Sequence, residues 1–408
     1  MCYNESISIT GEMVLRGYDS HKEHITTFRR HIHEHPEVGW KENATTEFLL
    51  ESFAKAGIEA KRLSPTGVVA NVYPKGENMA TPNDEVAFKA LRGDIDALPI
   101  QESTGLDYAS KTPGVSHACG HDFHTASIYG AALILNDLRA KLKHPVRFIF
   151  QPAEETRPSG AKELIDQGVL EDVQEIYAIH AEPRLEVGKI GIREGALTSA
   201  ADICTVKVSG SGGHSSRPHL TADVIQALSA IVNGVPVAFS RIFDPRSVVS
   251  LTWGKIEAGD TPNAIPDHGF ISGTLRTTDI DAWMRAEAIF KDTVESIAKP
   301  FGAKVDIIYE KGVPPVINTE VSAAKMRKVA YEYFGDKSIH DAERSLGGED
   351  FSWYLMHEPK SGKKIQGAMA RFGAATPGRE PVDIHQPNLI VDEKLLDYSV
   401  PFLAGMVI

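Results

Sequence analysis

At 408 residues, 42% hydrophobic and 24% charged, the chain has an ordinary soluble, globular composition, and its length calls for two domains. Its formal net charge of -12 argues against nucleic-acid or anionic-membrane partners, which need a basic surface. No apolar run reads as a membrane span and the start does not read as a secretory signal, so a cytoplasmic location is expected.

Hydrophobic periodicity predicts helices at about 24–38 and 41–56. A buried strand follows at Val86-Ala87-Phe88-Lys89-Ala90-Leu91, running into Arg92-Gly93-Asp94-Ile95-Asp96, and a helix covers about 124–141. The next strand, Val146-Arg147-Phe148-Ile149-Phe150, runs into Gln151-Pro152-Ala153-Glu154-Glu155. After a helix at about 159–167, Glu175-Ile176-Tyr177-Ala178-Ile179 runs into His180. Short continuous apolar runs separated by helical patterns are the mark of a largely parallel, buried sheet. Ligands of such sheets bind beyond the carboxyl ends of the strands, where these acidic and imidazole residues fall.

From residue 198 to 312 the pattern changes to strand 202–209, helix 221–239, strand 247–257, strand 268–277, helix 279–299 and strand 303–310. This βαββαβ order is the ferredoxin-like signature and reads as a self-contained insert. A glycine-rich stretch, Ser209-Gly210-Ser211-Gly212-Gly213, leads to His214 inside it, and Gly312-Val313-Pro314-Pro315 supplies a stiff return. Residues 313–408, with a short strand at 368–372, are expected to complete the first sheet. The predicted fold is thus a two-domain α/β protein, with residues 1–197 and 313–408 in one domain and 198–312 in the other.

The densest chemistry is His117-Ala118-Cys119-Gly120-His121-Asp122-Phe123-His124, which puts a thiol, three imidazoles and a carboxylate into one turn. Thiolate and neutral imidazole bind borderline divalent metals, and Cys-x-His spacing lets both reach one small site. A free cysteine is also commonly a small buried hydrophobe. Cys2, Cys119 and Cys204 are an odd number in a long chain, which does not read as a disulfide framework.

HACGHDFHTA, RGDIDALPIQE, FIFQPAEE, IHAEP, GGHSSRPH, NAIPD, GGEDF and RRHIHEHPEVGW together resemble the M20 metallopeptidase superfamily. More narrowly they resemble its amidohydrolase branch of hippurate hydrolases, N-acyl-amino-acid deacylases and auxin-conjugate hydrolases. The resemblance implies a zinc-peptidase-like catalytic domain carrying a ferredoxin-like lid through which two copies dimerise. It implies two divalent ions, with manganese, zinc, cobalt and nickel all open. Their ligands would be Cys119, His121, Glu155, His180 and His385, with Glu154 as general base acting on metal-activated water. Asp96 would orient a ligating imidazole or the nearby Glu, although an Asp before Leu98-Pro99 is also a turn former.

The resemblance further implies that His214 stabilises the oxyanion, and that Asn263 and Arg276 grip a substrate carboxylate. A surface ion pair is the competing reading of Arg276. Asp94 has no clear place in this scheme, Asp122 reads as structural, and His31, His33 and His35 read as packing or surface residues. Gly93, Ile95 and the Ala181-Glu182 pair depart from the family pattern and bear on the acyl pocket. The function implied is hydrolysis of an N-acyl-L-amino acid, a small-molecule substrate. An aminopeptidase or dipeptidase of the same superfamily is the nearest alternative, and a catalytically inactive regulatory protein is the alternative of another class.

Overall fold

The computed structural model describes residues 9–75, 87–359 and 362–408, so Cys2 and Val86 lie outside the described residues. Two compact units emerge: Met1–Gly195, Ile317–Glu343 and Trp353–Ile408 form the first, and Ala196–Val316 with Arg344–Ser352 the second.

Among the described residues, the first unit is built on an eight-stranded sheet. Its order is Glu59–Arg62, Val68–Val72, Val146–Gln151, Phe88–Asp94, Val173–Glu186, Gln366–Ala375, Ile190–Ile192, Ile339–Asp341. The four central strands, from Val146–Gln151 to Gln366–Ala375, run parallel, and antiparallel pairings lie toward the edges. Val146, Phe148, Ile149 and Phe150 are all buried, as befits a strand covered on both faces.

On one face, helices Gly11–Glu34, His121–Asp137 and Leu395–Met406 form the main core with Tyr177, Ile179, Ala370 and Phe372 of the central strands. The first helix begins well before the predicted residue 24. Thr10 Oγ1 accepts from Met13 N at its start, and Val14, Tyr18, Ile25, Phe28 and Ile32 bury one stripe. It stops at Glu34, ahead of Pro36, which disfavours helical backbone in the residue before it. The third strand predicted by sequence extends past His180 to Glu186, so His180 lies within the strand rather than at its end.

In the second unit, strands Ala200–Ser209, Ser250–Ala258, His268–Thr277 and Lys304–Val313 alternate with helices Val224–Ile242 and Ile280–Ala298 in the order βαββαβ. The sheet order is Ser250–Ala258, His268–Thr277, Ala200–Ser209, Lys304–Val313, with every pairing antiparallel. Asp223 and Asp279 cap the two helices by accepting from Gln226 N and Ala282 N. Contrary to the sequence expectation, Val224–Ile242 is long and apolar enough to cross a membrane by length and composition. Its stripe of Ala227, Leu228, Ile231, Val235 and Phe239 packs into this unit's own core. Arg344–Ser352, which the sequence reading gives to the first domain, joins this unit through Ser199 Oγ donating to Leu346 O at 2.7 Å.

Candidate functional site

The site grows from the turn before helix His121–Asp137. Gly120 holds φ at +86°, a left-handed conformation that glycine adopts without strain, and a Cβ there would stand 3.1 Å from Ala181 Cβ. Cys119 and His121 flank this glycine, and both are buried.

His180 approaches Cys119 from the neighbouring strand, with Nε2 at 3.5 Å from Sγ. Its Nδ1 donates to Ala181 O at 2.7 Å, an assignment drawn from the hydrogen-bond network, which turns the Nε2 lone pair toward the thiol. His121 has the same arrangement. Its Nδ1 donates to Asp96 O at 2.9 Å and lies 3.3 Å from Asp96 Oδ1, while the buried Nε2 has no hydrogen-bond partner. That orphaned nitrogen is 4.0 Å from Glu154 Oε2 and 3.9 Å from Glu155 Oε1.

Glu155 Oε1 lies 3.0 Å from His385 Nε2, and Glu155 N donates to Asp96 Oδ2 at 3.0 Å. One Asp96 carboxylate therefore touches both the ring of His121 and the backbone of Glu155. His385 adopts φ +63° and is fixed by its own N–H donating to Ala118 O at 2.7 Å. Three triads result: Cys119, His121, His180; Cys119, Glu155, His385; and His121, Glu154, Glu155. Within each, the donor atoms lie within 4.8 Å of one another. A sulfur, nitrogen and oxygen set with an unpartnered buried imidazole nitrogen suits borderline divalent cations, so these residues fit a two-ion centre.

The surroundings of each donor set its protonation. Burial pushes the Cys119 thiol well above its ordinary pKa and nearby Glu155 adds to this, so thiolate here requires a cation. Burial and the charge of Arg371 hold His180 well below the usual imidazole value, keeping it neutral. Burial opposes protonation of His121, yet Asp94 and Cys119 raise its pKa well above normal. Burial likewise disfavours a charged Glu155, but His385 and His121 keep its carboxyl below the ordinary range.

Several supporting residues escaped sequence reasoning. Asp94 pairs with Arg92 Nη1 at 2.6 Å and accepts from His124 Nδ1 at 2.6 Å; His124 Nε2 in turn accepts from Ala181 N at 2.9 Å. This chain ties the strand before Asp96, the His121 helix and the strand carrying His180. The third histidine of the cluster was the available signal. Glu42 is fully buried and accepts from Ala153 N and Thr66 Oγ1, both at 2.8 Å. Ala153 sits at φ +55° directly before Glu154, so Glu42 secures the turn that aims both glutamates.

Asp122 belongs to a separate buried trio, with Arg29 Nε at 2.6 Å and His33 Nδ1 at 2.8 Å. His31 stacks on Phe48 and His35 Nδ1 donates to His31 O, so none of the three early histidines joins the converging donors.

In the second unit His214 lies on the short strand Gly213–His214, paired with Ala264–Ile265. Its Nδ1 accepts from Ser216 N at 3.1 Å and Ser216 Oγ at 2.8 Å, which leaves the proton on Nε2. Asn263 O accepts from Ser215 N, placing Asn263 beside the His214 segment. Arg276 is half-buried, and its Nη1 donates to Leu346 O rather than to a carboxylate.

Residues 90–408 match peptidase family M20/M25/M40. A Rhodococcus jostii (strain RHA1) protein named glutamate–cysteine ligase 2-3 is 38% identical over 384 residues. That match covers 94% of this chain but 46% of that protein, so the chain spans about half its length. An N-acetyl-L-cysteine deacetylase of Bacillus subtilis (strain 168) is 37% identical over 376 residues, covering 92% of this chain and 85% of the relative. Among solved structures, the Bacillus subtilis YxeP protein, described as a dinuclear metal-binding peptidase, superposes with a TM-score of 0.80. It shares 33% identity, covering 95% of this chain and 98% of that one. With the pattern match spanning well over half the sequence, the chain belongs to the M20/M25/M40 peptidase family.

Proposed function

We propose that the chain is a metal-dependent amidohydrolase that splits N-acyl-L-amino acids into a carboxylic acid and a free amino acid. The observation that carries this reading is the convergence of Cys119, His121, Glu155, His180 and His385 on one small volume, with Glu154 beside it. Those five residues would hold two divalent ions, with manganese, zinc, cobalt and nickel all compatible with the donor set. When bound, such a pair supplies Lewis acidity that makes water easier to deprotonate and polarises the scissile carbonyl.

Glu154 takes the proton of the attacking water as its oxygen adds to the carbonyl carbon. It then delivers that proton to the departing nitrogen as the C–N bond breaks, a role typically worth about 10²–10⁴ in rate. Asp96 acts through others, holding the His121 ring and the Glu155 backbone. The reading gives His214, with its proton on Nε2, the developing oxyanion, and gives Asn263 and Arg276 a substrate carboxylate. It takes the second unit as a ferredoxin-like lid and the surface for a homodimer, supported by its βαββαβ order. The deacetylase name of the Bacillus subtilis relative agrees with an N-acyl amino acid as substrate.

Glu154→Gln tests the assignment: metal content measured by elemental analysis should stay at the wild-type level while kcat falls by about 10²-fold or more. Unchanged kcat removes Glu154 from the reaction. Hippurate assayed beside an unblocked dipeptide separates the acylase reading from a dipeptidase, which would need a carboxylate to receive the free amine.

A further inference from the structure

Among the described residues, a buried cation with no carboxylate paired to it lies beside His180. Arg371 sits on the Gln366–Ala375 strand, which runs parallel to Val173–Glu186 with Arg371 and His180 as register partners. Register partners on adjacent strands project from the same face of a sheet, so guanidinium and imidazole share one surface. The opposite face, with Ile179, Ala181, Ala370 and Phe372, belongs to the main core. On its other flank Arg371 pairs with Gly191, where a Cβ would stand 3.3 Å from Arg371 Cβ and 3.2 Å from Ala342 Cβ. Glycine there leaves room for the arginine stem.

Only 9% of Arg371 is exposed, yet among the described residues no carboxylate or carbonyl pairs with its guanidinium. The other buried arginines of this unit are answered: Arg29 meets Asp122 at 2.6 Å and Arg92 meets Asp94 at 2.6 Å. A guanidinium carries five donors in a planar fork matched to a carboxylate. Burying it unpaired is unfavourable. Such a cost is tolerated where a ligand supplies the missing anion, because binding sites are commonly less stable than the fold could make them.

We propose that Arg371 forms a carboxylate-binding subsite next to His180 and engages a carboxylate of the substrate through its bidentate fork. This deepens the N-acyl-amino-acid reading and rests on it. Such a substrate carries one carboxylate on its amino-acid half and, when the acyl group comes from a dicarboxylic acid, a second on its acyl half.

Four substrates separate the two sources: N-acetyl-methionine, N-succinyl-methionine and their methioninamide counterparts, each assayed with wild type, Arg371→Met and Arg371→Lys. A charge-assisted pair of this kind predicts that Arg371→Met lowers kcat/KM roughly 10- to 100-fold on every substrate bearing the recognised carboxylate. The others should stay within about twofold, and Arg371→Lys should restore part of the loss. Loss confined to the succinyl pair assigns the acyl half; loss confined to the methionine pair assigns the amino-acid half. Equal loss on all four, or none, overturns the proposal.

Unfolding temperature gives a second readout. Arg371→Met should match or exceed ligand-free wild type, because it removes an uncompensated charge; a drop of several degrees marks Arg371 as structural and overturns the proposal. If wild type hydrolyses none of the four substrates, the acylase reading fails on its own. Succinate should still raise the unfolding temperature of wild type and Arg371→Lys but not of Arg371→Met, and equal shifts in all three would refute the subsite.

Discussion

Glu42 offers a prediction whose size follows from the structure. Burial pushes its carboxyl up to about 7 from an ordinary 4.5, despite the hydrogen bonds it accepts from Thr66 and Ala153. A carboxyl with a raised folded-state pKa stabilises the fold most when protonated, so its contribution is full below about pH 4.5 and is lost as pH rises toward 7. That gap, at 1.36 kcal/mol per unit, is about 3 kcal/mol. Glu42→Gln cannot ionise and should lack this loss. An amide in that pocket adds an N–H needing an acceptor, but this penalty is independent of pH and cancels when the difference between proteins is followed along the pH axis. The assay is urea unfolding of both proteins in chelator between about pH 4 and 8, because metal affinity has its own pH dependence. The stability of Glu42→Gln relative to wild type should rise by about 3 kcal/mol across this range and level off above pH 7. Parallel curves would show that Glu42 ionises normally and refute the burial argument.

Cys119→Ala removes a donor common to two of the triads and should lower bound metal measured by elemental analysis; full occupancy would reject the thiolate assignment. Gly120→Ala forces a side chain into φ +86° beside Ala181, so unfolding should cost about 1–2 kcal/mol less. Metal affinity should fall with it, and an unchanged denaturation midpoint and metal affinity would contradict the strained-turn account. Asp122→Asn leaves Arg29 without its buried counter-charge and should destabilise by about 3–5 kcal/mol in a denaturant titration. A change near zero would return Asp122 to an incidental position.

The central parallel strands were legible because each is a short run apolar on both faces, and the βαββαβ order of the second unit because its periods switch cleanly between 2 and 3.6. The first turns of helix Gly11–Glu34 were not, since between residues 11 and 23 only Val14 and Tyr18 reach the core. Arg344–Ser352 escaped because its place depends on contacts with Ser199, about 150 residues away in sequence, and no local pattern encodes those. The donors were legible as residue types that bind metals. Glu42, His124 and Arg371 were not, because the surroundings of each are set by burial and by residues distant in sequence. An isolated Glu, His or Arg in a sequence is most often at the surface.

Anomalous diffraction from a crystal grown with manganese or zinc tests the central claim most directly. The account predicts two peaks per chain, held by Cys119, His121, Glu155, His180 and His385, with Glu154 facing them. Peaks elsewhere, or Cys119 and His385 left without a metal, would contradict it.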